Sequence, residues 1–148
     1  MGMIADSMID EWYSSLPRTE GIYRIIDKTM IDSGSKERIW AVIALGDSGD
    51  PRAVRPLMDC CSDKDSEIRF HASESLHKLR SGRAVNVLLE RLKDKREWPK
   101  TRKRAAAALA AIGSFSAIEG LKERSADADE EPALRSFITE ELSWTQIR

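Results

Sequence analysis

Residues 38–46 read RIWAVIALG, a skeleton of the form R-x-x-A-x-x-A-L-G. The skeleton returns at Arg69 (RFHASESLH), at Arg102 (RKRAAAALA) and, worn down, at Arg135 (RSFITEELS), at spacings of 31, 33 and 33 residues. A second series interleaves with it: Ile22, Ala53, Ala84 and Ala117 open apolar runs spaced 31, 31 and 33 residues apart. Two helices per period are too short to bury their apolar sides alone, whereas stacked neighbours bury a continuous core. The period therefore predicts an all-α chain, a right-handed α-α superhelix (solenoid) of about four helix-pair repeats behind an N-terminal helix.

Taken in order, residues 3–15 could form a helix with Met8, Ile9, Trp12 and Tyr13 on one face, ended by Leu16-Pro17. Ile22, Ile25, Ile26 and Met30 then share one helical face. Helices follow over about 38–45, 51–61, 68–79, 84–92, 99–112, 117–124 and 132–144, giving roughly nine helices and no strand. Pro56 should kink the 51–61 helix or confine its regular hydrogen bonding to the second half. The reading is a single α-solenoid domain over 1–148, with a cap helix at 1–18 and repeats at 19–46, 47–79, 80–113 and 114–148. Ala41, Ala72 and Ala105 let helix axes approach closely, and Leu45, Leu76, Leu109 and Leu142 fill the layer between units.

Each repeated arginine arrives with an aspartate. Asp32 and Arg38, and Asp63 and Arg69, stand six apart, whereas Asp94 and Arg102 stand eight apart. For Arg135 the partner is Asp127 by register or Asp129 by separation. These residues are expected to form a structural ladder across the turns within each repeat, because a guanidinium reaches a carboxylate and turn carbonyls with one rigid fork.

The pattern D-x5-R-x-x-A-x-x-A-L-G followed by G-D-P-x-A-V-x-x-L resembles HEAT repeats, and its short period resembles the subclass first associated with phycocyanobilin lyases. The resemblance covers about residues 19–142. It implies that the helices opened by Ile22, Ala53, Ala84 and Ala117 lie on the convex side. The helices opened by Arg38, Arg69, Arg102 and Arg135 would then lie on the concave side. The W-x-x-L-G-x-x-Y and T-P-L-H signatures of tetratricopeptide and ankyrin units do not occur.

With the arginine at the second position of its helix, the third, fourth, seventh and eleventh positions should face out along the concave side. They hold an aromatic and charged stripe: Ile39, Trp40 and Ile43; Phe70, His71 and Glu74; Arg104; Phe137 and Trp144. Exposed rings beside an arginine are what protein-binding surfaces are made of. A second candidate is the run 91–104, RLKDKREWPKTRKR, with eight basic and two acidic residues. There Lys100, Lys103 and Arg104, with Trp98 nearby, could bind an anion or a nucleic acid.

Composition narrows the rest. The net charge of −1 gives no global field toward nucleic acid or membrane. No run approaches the roughly 18 apolar residues of a membrane span. Cys60 and Cys61 are adjacent, so no disulfide framework is possible and a cytoplasmic location is expected. His71 and His77 are the two histidines, six apart on one helix, and do not share a face. Iron-dependent hydroxylases built on HEAT-like repeats use paired His-Glu motifs. No His-Glu dipeptide occurs here, so the sequence does not support that activity. No cofactor and no metal is expected. The favoured reading is a non-catalytic protein–protein interaction scaffold that binds another protein, or a second copy, through the concave face. A nucleic-acid binder using 91–104 and a bilin-lyase-like subunit are the other readings.

Overall fold

The computed structural model describes residues 21–30 and 33–145. Eight α-helices lie among the described residues, and no strand. They are α1 (Gly21–Asp27), α2 (Ser35–Asp47), α3 (Val54–Cys60), α4 (Ser66–Leu79), α5 (Val85–Lys93), α6 (Pro99–Ile112), α7 (Phe115–Ala126) and α8 (Pro132–Thr145). The expected helix over 3–15 and the ladder residue Asp32 lie outside the described residues.

Local chemistry sets the boundaries. Asp50 and Ser81 cap short 3-10 turns, Pro51–Ala53 and Gly82–Ala84, that lead into α3 and α5. Asp65 caps α4 and Ser114 caps α7 through their side chains. Pro99 and Pro132 open α6 and α8, where a missing N–H is harmless. Pro56 falls in the first turn of α3 for the same reason. The 3-10 segment takes up the irregularity, and regular hydrogen bonding begins only at Val54. Gly113 ends α6 at φ 67°.

The helices form two rows. The even-numbered helices lie side by side, α2 on α4, α4 on α6 and α6 on α8. The odd-numbered ones lean chiefly on their even partners. The even row is the more closely packed of the two, and the likeness to HEAT repeats assigns it, α2, α4, α6 and α8, to the concave side. Between the rows runs one core, including Leu45, Leu57, Ile68, Leu76, Leu88, Leu109, Leu121 and Ile138. Ala41, Ala72 and Ala105 are fully buried, and Leu142 is packed at the core's edge.

The ladder runs differently from the sequence expectation. Three of the four arginines reach forward to the turn of the following repeat. Arg38 binds Asp63, Arg69 binds Glu97 at 2.7 Å, and Arg102 binds Glu130 at 2.6 Å. Arg69 also donates to the carbonyls of Asp63 and Lys64 in its own turn. The extra turn length explains the change of acid. Asp63 both accepts the Asp65 N–H and binds Arg38. In the later, longer turns, Asp94 and Asp127 keep the turn bond, to the N–H of Arg96 and Asp129. Glu97 and Glu130, three residues further on, take the arginine instead. Arg91 and Arg124 close on the same two carboxylates at 2.8 and 3.2 Å.

Burial alone would push the Glu97 and Glu130 carboxyls up. Hydrogen bonds from Arg69, the Trp98 N–H and Arg91 hold Glu97 down at about 2. Arg102, the Glu131 N–H and Arg124 do the same for Glu130, also at about 2. A carboxyl depressed in the folded state contributes stability above its unfolded pKa and loses it as pH falls toward the folded one. The expected result is a urea midpoint steady above about pH 4.5 that drops steeply between about pH 4 and 2. Replacing Glu97 with Gln should flatten part of that drop while lowering the neutral-pH plateau.

Candidate concave binding face

The sequence-predicted stripe falls on the inner row. Trp40, on α2, is 54% exposed and Trp144, near the end of α8, is 59% exposed, so rings stand in solvent at both ends of the face. Ile39 and Phe137 are half-buried against the core, and Ile43 is half-buried. Ala107, at the seventh position of α6, is buried, because α6 is flanked by both α4 and α8 and its alanines fill the contact.

The middle of the face is built by α4 and α6. Phe70 stands edge-on to His71, with ring centroids 5.1 Å apart. Lys100, in the first turn of α6, lays its ammonium over Phe70 at 4.3 Å and over the Trp98 indole at 4.7 Å. Lys103 reaches toward the Phe137 ring at 6.0 Å. Each contact joins neighbouring segments through an attraction between a cation and a ring quadrupole. Toward the C-terminal end of α4, Arg104 lies 3.8 Å from Glu74 and 3.4 Å from the His77 ring. Lys78 pairs with Asp47 of α2 at 2.8 Å. Burial first, and then the charges of Arg104 and Arg80, push His77 below its ordinary range, so it is neutral at pH 7.

The basic run 91–104 is not one surface. Arg91 and Arg102 turn inward to Glu97 and Glu130, and Lys100 lies on the aromatic pair. Lys103 is exposed and Arg104 half-buried. Of the predicted residues, the structure brings together Phe70, His71, Glu74, Lys100 and Arg104. Trp40 and Trp144 stand apart at the two ends. Sequence reasoning missed Glu67 as a neighbour of His71, at 3.5 Å. The i, i+4 spacing of Glu67 and His71 was the available signal.

On the other side of the ladder, a cavity of about 570 Å³ opens beside Arg38 and Asp63, with Cys60 in its wall. Cys60 occupies the register position of Arg91 and Arg124, so the second arginine that closes the later turns is missing here. Burial pushes the Cys60 thiol up to about 11 and the Cys61 thiol to about 12, and neither is a nucleophile at neutral pH.

The HEAT-repeat family profile matches residues 27–101, half of the chain. The chain belongs to the HEAT-repeat family. Its HEAT repeats superpose on human deoxyhypusine hydroxylase with a TM-score of 0.71, at 23% identity, over 95% of this chain and 47% of that one. They superpose on phycocyanin lyase from Nostoc with a TM-score of 0.63, at 16% identity, over 99% of this chain and 68% of that one. Both likenesses are of fold. In sequence, the chain is 30% identical to bovine deoxyhypusine hydroxylase over 131 residues, 86% of this chain and 43% of that protein. Human deoxyhypusine hydroxylase is 28% identical over the same shares. The chain thus spans less than half the length of these relatives. They are enzymes, which overturns the expectation of a non-catalytic scaffold or adaptor.

The donor set on this HEAT face does not fit iron. His71 has Glu67 and Glu74 nearby, at 3.5 and 4.0 Å, but all three come from one helix. Arg104 stands against Glu74 and His77 from the facing helix. A guanidinium in that place repels a metal cation. Among the described residues no group of three His, Cys, Asp or Glu side chains is arranged to hold a metal. No helix among them is long and apolar enough to cross a membrane.

Proposed function

We propose that this HEAT-repeat chain serves deoxyhypusine-hydroxylase-type chemistry by recognising the amine-bearing side chain of a protein substrate on its concave face. The observation that carries this reading is the stack of Phe70, Lys100 and Trp98. Two rings already hold an ammonium at 4.3 and 4.7 Å, and that ammonium is exposed. Deoxyhypusine is a lysine-derived side chain ending in an amine, so an incoming substrate amine matches what Lys100 supplies and can take its place. Glu67 and Glu74, on the same helix as Phe70, offer carboxylates to the secondary amine. Trp40 and Phe137, further along the face, add ring surface for contact with the substrate backbone. The buried free thiols of Cys60 and Cys61 suit a reducing compartment, in keeping with a cytoplasmic protein.

The test is calorimetric titration of the chain with a deoxyhypusine-bearing peptide, beside the same peptide with its amine acetylated. The expected result is binding of the free amine alone, weakened about tenfold by Phe70→Ala, through the lost cation–ring contact, and strengthened by Lys100→Ala, through removal of the competing ammonium. Equal binding of the two peptides, or no effect of Phe70→Ala in a protein that melts like the parent, would overturn the reading.

A further inference from the structure

Three consecutive inner helices are followed, at one register position, by a residue in the left-handed region. These are Gly49 at φ 65° after α2, Arg80 at φ 53° after α4 and Gly113 at φ 67° after α6. The N–H of Arg80 caps α4 at the Leu76 carbonyl, as that of Gly113 caps α6 at the Leu109 carbonyl. Glycine takes that conformation without strain, and a residue with a Cβ does not. Arg80 is the one non-glycine residue among those described that adopts it. The cap alone calls for glycine, so the backbone strain points to a use for the arginine side chain.

That side chain lines a cavity of about 580 Å³ with Glu74, His77, Lys78 and Arg104, at the C-terminal end of α4. Stacking does not dictate these residues. By register, His77 stands where α2 has Gly46 and α6 has Ala110, and Lys78 where they have Asp47 and Ala111. Arg104 is loosely held, 3.8 Å from Glu74 and 3.4 Å from His77 Nδ1, and its Nε is buried with no hydrogen-bond partner among the described residues. Lys78 and Arg80 are exposed. Three cations, Lys78, Arg80 and Arg104, thus meet two carboxylates, Glu74 and the Asp47 paired to Lys78. With His77 neutral, the cavity keeps a surplus of one positive charge.

We propose that this end of the concave face is a carboxylate-binding subsite, where an aspartate or glutamate side chain of the bound protein substrate lies between Arg80 and Arg104. A guanidinium presents the fork of donors that a carboxylate accepts. A surplus of one charge matches a carboxylate, whereas a phosphate monoester carries close to two. The proposal rests on the reading of this face as one that receives a protein, and it names a second group that the protein carries. Phe70 and Arg80 are about 15 Å apart along α4, at a rise of about 1.5 Å per residue. An extended peptide covers that distance in about five residues, at about 3.3 Å each. The cations are solvent-accessible, so the contact weakens as salt rises.

The first test uses no amine. The full chain is titrated at low salt with a peptide of alternating glutamate and glycine, its terminus blocked, and followed through its backbone amide NMR signals. The expected result is saturable shifts at residues 77–80 and at Arg104, with affinity reduced about tenfold by Arg80→Gly and by Arg104→Gln. Arg80→Gly should melt at the parent temperature or above, because it removes the left-handed strain. In a second arm, a glutamate about five residues from the deoxyhypusine of the amine-bearing peptide should tighten binding about tenfold over glutamine there. If the amine fails to bind, the shifts from the acidic peptide remain, so the two readings fail separately. Absence of shifts at 77–80 and Arg104 overturns the proposal. So does binding unchanged by Arg80→Gly, or displacement of the peptide by a single-stranded oligonucleotide of equal charge that binds more tightly.

Discussion

Glu130→Ala is expected to lower the unfolding free energy by about 3–5 kcal/mol, read from urea titration at pH 7. The Glu130 carboxylate is 1% exposed and binds Arg102, itself 5% exposed, at 2.6 Å, with Arg124 at 3.2 Å on the same oxygen. Removing it leaves the Arg102 guanidinium in the interior with only the Leu92 carbonyl for company. An uncompensated buried charge costs far more than a lost surface ion pair, which is worth at most about 1 kcal/mol. The Lys78–Asp47 pair is the internal control. Both of its side chains are about half exposed, and Asp47→Ala should change stability by less than about 1 kcal/mol. If Glu130→Ala were as mild as Asp47→Ala, the turn acids would not be holding consecutive repeats together.

The same residues mark how far the sequence could be read. The period of the arginines and the small residues that follow them gave the helix pairs, because those positions are dictated by stacking, which recurs. The rungs were harder to see. Asp63 and Arg69 lie near each other in sequence, and a local turn is the natural guess. The structure sends Arg38, Arg69 and Arg102 forward to the turn of the following repeat, because each side chain leans along the stack toward that turn. Glu97 and Glu130 escaped attention because the longer turns moved the arginine-binding acid three residues beyond the expected aspartate. Their recurrence at a spacing of 33 residues, the repeat period itself, was the signal.

The candidate face was legible as a set of positions and not as a chemistry. Register placed Phe70, His71, Glu74 and Arg104 on one side, and they do share it. That Lys100 would lie across Phe70 and Trp98 depends on how the first turn of α6 meets α4, and no local pattern encodes that. The link to enzymes was invisible for a different reason. The absence of a His-Glu dipeptide points away from the hydroxylases, yet similarity over 86% of the chain points toward them. The third and fourth positions, which chemistry would use, hold Ile39 and Trp40, Phe70 and His71, Lys103 and Arg104, and Ser136 and Phe137.

Gly46→Val is expected to cost about 3 kcal/mol or more, at the upper end of overpacking changes. Gly46 is the last residue of the R-x-x-A-x-x-A-L-G skeleton, and a glycine within a helix ordinarily weakens it by about 1 kcal/mol relative to alanine. Here the missing side chain sets the distance between α2 and α4. A Cβ at Gly46 would lie 2.4 Å from Ser75 Oγ, 2.5 Å from its Cβ and 2.7 Å from its Cα. The last of these is backbone and cannot swing aside, so the helices must part. Parting them breaks the bond from Ser75 Oγ to the Val42 carbonyl, now 2.8 Å. Gly120 makes the contrast. A Cβ there would come within 2.3 Å of Leu89 Cδ2, the far end of a flexible side chain, with no backbone behind it at that range. Gly120→Ala should therefore cost clearly less than Gly46→Ala, although both glycines are buried within helices. Pairing Gly46→Val with Ser75→Gly should recover only part of the loss, because the Ser75 Cα remains in the way. Full recovery in thermal melts would mean that side-chain crowding, and not the approach of the two backbones, requires the glycine.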